Sequence, residues 1–122
     1  MTRTRHSPPQ KRLTVTVVNL AELLKTEFRR EQTAAIVIAV ETQGLAKYEI
    51  TASWDRDVFD LVGNSTREFR VDREMSIRKK SVWQFRTLPS NRALRSVVQF
   101  WVRSGGFKQA ASLFLRTVGP ES

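Results

Sequence analysis

The sequence predicts an α+β fold in one domain: an antiparallel-rich sheet of about five strands, one helix after the first strand, and one or two helices at the C-terminus. Three observations carry that expectation. Between residues 13 and 87 several short stretches alternate apolar and polar residues at strand spacing. Beyond residue 91 the apolar residues recur at helical spacing instead. The chain has 122 residues, 40% hydrophobic and 27% charged, which suits one globular domain.

Residues 1–12, MTRTRHSPPQKR, hold no aliphatic or aromatic residue after Met1 and read as a disordered basic arm ahead of a domain over 13–118 and a short tail over 119–122. Leu13 to Val17 alternate with Thr, a strand pattern. Asn19 stands three residues before Glu22, the spacing of a capping box, and Leu20, Leu23, Leu24 and Phe28 then predict an amphipathic helix over 20–31. Ala34 to Val40 form a continuous apolar run, expected as a central strand buried on both faces. Gln43–Gly44 is the expected turn. Tyr48, Ile50, Ala52 and Trp54 alternate with polar residues, so this strand should pair with the preceding one as a hairpin.

Residues 55–62 read as one or two helical turns, with Asp55 and Asp57 at the N-terminal end and Gly63 as the stop. Phe69 and Val71 mark another strand, and 76–87 a longer one. On it Ile77, Trp83 and Phe85 share one face while Arg78, Lys80, Gln84 and Arg86 share the other. Pro89 ends that strand, and Ser90 or Asn91 should cap a helix running to Ser104. Such a helix gathers Leu94, Val97, Val98, Trp101 and Val102 opposite Arg92, Arg95, Gln99 and Arg103. Phe107, Ala110, Ala111, Phe114 and Val118 suggest a second terminal helix, with a strand through Leu113–Val118 as the alternative. A sheet followed by two terminal helices is similar in outline to small RNA-phage coat proteins, a likeness of architecture without a shared motif.

Several chemistries are poorly served. The absence of Cys excludes disulfides, thiol catalysis and Cys-type zinc sites. The single histidine, His6, lies in the arm, so histidine-based acid–base catalysis is not expected. Asp55, Asp57 and Asp60 are better explained by the electrostatics of a helix start than by Mg²⁺ binding. Gly105–Gly106 lacks the spacing of a phosphate loop. Neither catalytic residues nor a metal or other cofactor is expected. No stretch approaches the ~18 apolar residues of a membrane span, and the N-terminus lacks the apolar run of a secretory signal. An intracellular, non-secreted protein is therefore expected, in which the Asn64-Ser65-Thr66 sequon is idle.

Charge is the informative feature. The formal net charge is +9, distributed as +4 over residues 1–18, −3 over 19–62 and +8 over 63–122. Residues 75–120 hold nine bases and no acid, and Arg outnumbers Lys 15 to 6. Such like charges repel one another unless a polyanion is the normal partner, and guanidinium forks fit phosphate oxygens. Arg78, Lys79, Lys80 and Arg86 on the long strand and Arg92, Arg95 and Arg103 on the helix are expected on one phosphate-gripping surface, aided by Arg3, Arg5, Lys11 and Arg12 of the arm. Trp83, were it solvent-facing beside Arg86, would stack an unpaired base.

These features point to a non-enzymatic nucleic-acid-binding protein. RNA is favoured over DNA, because no helix-turn-helix, zinc-finger or heptad pattern argues for duplex reading. One alternative is a small self-assembling structural protein, viral capsid- or matrix-like, that forms a homodimer and packages RNA or, ranked lower, holds an anionic membrane surface. Another is an adaptor that offers its basic face to an acidic protein.

Overall fold

In the computed structural model, which describes residues 10–89 and 94–118, the chain forms two packed β-sheets and one short helix. The strands are β1 (Arg12–Val17), β2 (Glu27–Phe28), β3 (Thr33–Gln43), β4 (Lys47–Trp54), β5 (Phe59–Val62), β6 (Thr66–Arg70), β7 (Ile77–Thr87), β8 (Leu94–Ser104) and β9 (Phe107–Thr117); α1 covers Leu20–Lys25. The first sheet has the order β1-β3-β7-β5, the second β2-β9-β8-β4-β6. Apart from the parallel β2–β9 pair, every pairing is antiparallel. The first sheet and the β4-β8-β9 part of the second follow the strand order of immunoglobulin-type sandwiches. The departure is β6, which returns after β5 to lie beyond β4.

Period-two alternation drives this arrangement. Ile36, Ile38 and Val40 of β3 and Trp83 and Phe85 of β7 point inward from one sheet, and Ile50, Val98, Phe100, Val102 and Leu115 point inward from the other. The rings of Trp83 and Phe85 meet Phe100 edge-on at 5.4 and 6.2 Å, joining the sheets through aromatic contacts. Burial of each such side chain contributes roughly 1.5–3 kcal/mol.

The α+β expectation is overturned, most clearly at the C-terminus. Residues 94–104 and 107–117 are two eleven-residue strands, not helices. The Leu94/Val97/Val98/Trp101/Val102 set fits a helix only if Phe100 is assigned to the charged side, yet Phe100 is fully buried. Two-residue spacing resolves this, with Val98, Phe100 and Val102 inside and Arg95, Val97 and Arg103 outside. Gly105–Gly106 is a hairpin turn, not a helix stop, since Ser104 pairs with Phe107. Positive φ falls on Gly105 (56°) and not on Gly106, as a type II′ turn requires. With both helices gone, the outline likeness to RNA-phage coat proteins goes too.

Three smaller expectations also change. The β3 and β4 strands do not form a hairpin. Gly44, at φ 72°, carries the chain from one sheet to the other. β3 is central, but from Thr33 to Val37 it alternates between exposed and covered residues, so it is not buried on both faces throughout. Residues 55–62 make one tight turn and then β5. Asp55 Oδ1 accepts from the Asp57 N–H at 2.9 Å, so this carboxylate organises a turn and not a helix start.

The first helix is real but ends at Lys25, because Glu27–Phe28 leave it to pair with β9. Asn19 occupies the N-cap position without a side-chain cap bond. Its amide instead donates to Ala35 O at 2.8 Å and accepts from Val37 N–H at 3.0 Å. It thereby extends the β1–β3 ladder after the backbone has turned away.

Candidate nucleic-acid interface

A sandwich gives each basic strand one of two outer faces. Arg78, Lys80 and Arg86 lie on the outer face of the first sheet, while Arg95 and Arg103 lie on the outer face of the second. The backbones of packed sheets are ~10 Å apart, so these groups point in opposite directions and the single surface expected from sequence does not form. Lys79 projects at the open end, its Nζ 5.4 Å from the Phe69 ring centroid. Arg12 is exposed opposite Gln43 and Lys11 is exposed just before it. Arg92, Arg3 and Arg5 lie outside the described residues.

Trp83 is fully buried and donates from Nε1 to Ser81 Oγ at 2.9 Å. It is part of the core and presents no face to a base. What covers it is Arg67, missed in sequence, whose Cζ sits 3.9 Å from the Trp83 ring centroid and whose Nη1 donates to Val82 O at 2.9 Å. Burial lowers the Arg67 pKa from its usual value. Arg67 therefore belongs to the structure of the open side, not to a ligand surface.

Two of the four cations on the first sheet's outer face stand beside an acid, while Lys80 and Arg12 do not. Arg78 pairs with Glu41 at 3.5 Å, and Arg86 stands opposite Asp60 in the ladder. The β8–β9 hairpin of the second sheet differs. Its outward residues bring Arg103 opposite Lys108 and Arg95 opposite Arg116, like charges facing each other at both ends. Of these four, Arg103 pairs with Glu49 at 3.7 Å and Arg116 stands opposite Glu27 in the ladder, while Arg95 and Lys108 lie against rings.

Between those two basic ends lie exposed or half-buried apolar groups that a solvated face does not need. Val97 and Phe114, cross-strand partners, are 45% and 46% exposed, and Trp101 is half-buried opposite Ala110. Each ring carries a cation: Arg95 Cζ is 4.8 Å from the Phe114 centroid and Lys108 Nζ is 4.5 Å from that of Trp101. Beside them Gln99, Ser112, Thr51 and Ser53 offer polar groups along the same face. From Arg95 to Arg103 the strip runs roughly 27 Å along β8. Helical spacing over this segment scatters Trp101, Phe114, Lys108 and Arg116, so they do not stand out as one face. Read at period two, the odd-numbered residues 95–103 would have shown two arginines and a tryptophan on one face.

Among the described residues no group of acidic or histidine side chains is placed to hold a metal ion, and Asp55, Asp57 and Asp60 do not converge. No helix among them is long and apolar enough to cross a membrane.

No family model matches the chain. No curated protein matches it either. Among solved structures it is similar to a FixG-related protein from Vibrio parahaemolyticus, with 14% identity and a TM-score of 0.49 over 93% of this chain and 98% of that one. At that distance the likeness bears on neither activity nor ligand.

Proposed function

We propose that this protein is a non-enzymatic binder of single-stranded nucleic acid, with RNA favoured, and that the outer face of the β8–β9 hairpin is its contact surface. The observation that supports the reading is the pairing of each outward ring with a cation on a face whose ends are basic. On binding, Arg95 and Lys108 would turn from the rings to phosphate oxygens, while unpaired bases take their place against Phe114 and Trp101. Arg103 and Arg116 would extend the phosphate track, giving positioning contacts with little sequence reading. The β8–β9 hairpin is flanked by β2 and β4, so its face does not enter a duplex major groove as a helix or a free two-stranded ribbon does, which favours single strands. An intracellular setting belongs to the same reading.

Titration of the full chain with a fluorescent single-stranded RNA tests this. Trp101→Ala and Phe114→Ala should each weaken binding by about five- to a hundredfold, since stacking contributes ~1–3 kcal/mol per base. Unchanged affinity in both would overturn the reading. Retention of an acidic protein, and no nucleic acid, would move the same cations to the adaptor alternative. Of the two features that suggest a dimer for the self-assembling alternative, long strands and an apolar pair of terminal helices, the strands remain and the helices do not.

A further inference from the structure

A second charged feature lies at one end of the sandwich, where β1 begins, β3 crosses to β4, β6 leads into β7 and β8 turns into β9. These four segments surround a cleft of roughly 350 Å³. Lys11, Lys47 and Arg73 line it, each from a different segment, and no carboxylate does. Of the acids flanking Arg73, Asp72 uses Oδ1 to accept from the Glu74 N–H at 2.8 Å and shapes its own turn. Among the described residues none of the three bases forms an ion pair. Buried Leu45 and partly exposed Phe107 supply an apolar wall.

Three cations from separate parts of the chain, lining one cleft that no carboxylate lines and that has an apolar wall, suit an anion that carries an organic body. Gly105 and Gly106, the hairpin turn, form part of the rim. We propose that this cleft binds a phosphate monoester, with Lys11, Lys47 and Arg73 on the phosphate and Leu45 and Phe107 against the body. The cleft adjoins the Arg103/Lys108 end of the β8–β9 face but not its far end, since neither Phe114 nor Arg95 lines it.

The test is a titration of the ¹⁵N-labelled full chain with AMP, inorganic phosphate and adenosine, followed through the amides of Gly44, Gly105 and Gly106. AMP should shift these amides and bind about tenfold or more tightly than adenosine, because hydrogen bonds to a charged group are the stronger kind. Inorganic phosphate should shift the same amides more weakly than AMP. In Lys11→Gln/Arg73→Gln the AMP response should fall about tenfold or more, with the rest of the spectrum confirming the fold. In Arg95→Gln/Arg116→Gln it should be unchanged. Equal binding of AMP and adenosine, or full AMP binding in the Lys11/Arg73 variant, would overturn the assignment. So would loss of AMP binding in the Arg95/Arg116 variant alone.

Discussion

Arg67 closes the side of the sandwich where β5 and β6 end the two sheets without meeting. Its guanidinium covers the Trp83 ring and reaches the Val82 carbonyl across the gap. A lysine keeps the charge but loses the planar stack and the rigid fork. Arg67→Lys should therefore cost about 1–2 kcal/mol, read from urea unfolding, while a neutral surface change such as Arg70→Gln should cost little. Tyr48 gives a second test. It is the only tyrosine in the chain. It is buried against Phe69, with ring centroids 5.0 Å apart, and burial pushes its phenol up to about 12. Below the ordinary value of about 10 the proton is held in both folded and unfolded states. Between about 10 and 12 only the folded state keeps it, so stability should fall as pH rises through that window. The tyrosinate absorbance, which reports this one residue, should titrate near 12 in the folded chain; a midpoint near about 10 would contradict the burial. That Trp83 shares a face with Phe85 is legible from its period-two position in 76–87. That this face is buried, with Arg67 as its shield, is not, because nothing local brings residues 67 and 83 together.

At the scale of elements, β1, β4, β6 and β7 were readable because alternation there has no competing period. β8 was misread because Leu94, Val97, Val98, Trp101 and Val102 satisfy helical spacing as well. The deciding signals were Phe100, stranded on the wrong face of a helix, and the Gly105–Gly106 pair, a hairpin turn between two alternating stretches. Gly105→Val should cost about 1–2 kcal/mol because a β-branched residue resists φ near 56°, whereas Gly106→Ala should be nearly neutral. Thermal unfolding of the two variants checks this. Asn19 makes a comparable distinction at the start of α1. A plain N-cap would tolerate Ser, but the two bonds to β3 need an amide that donates and accepts. Asn19→Ser should therefore lose about 1–2 kcal/mol, nearly as much as Asn19→Ala. Full rescue by Ser would show that the capping role dominates after all.

For the whole molecule, topology decides what the net charge can do. A chain-wide excess of bases reads as one surface only while the basic segments are assumed to be neighbours on one face. The sandwich instead sends β7 and β8 outward from opposite sheets, so each face receives part of the charge. What survives on the second sheet is smaller and more specific, four cations with two aromatic rings between them. That surface makes a quantitative demand. Releasing counterions from four phosphates on a single strand gives a slope of about −3 in log affinity against log salt. The direct measurement is the salt dependence of single-stranded RNA binding, for the native chain and for a variant with Arg95, Arg103, Lys108 and Arg116 all changed to Gln. The native slope should be near −3 and the variant's close to zero, with duplex DNA binding weaker throughout. A slope unchanged by the four substitutions, or no RNA binding at low salt, would contradict the assignment of this face.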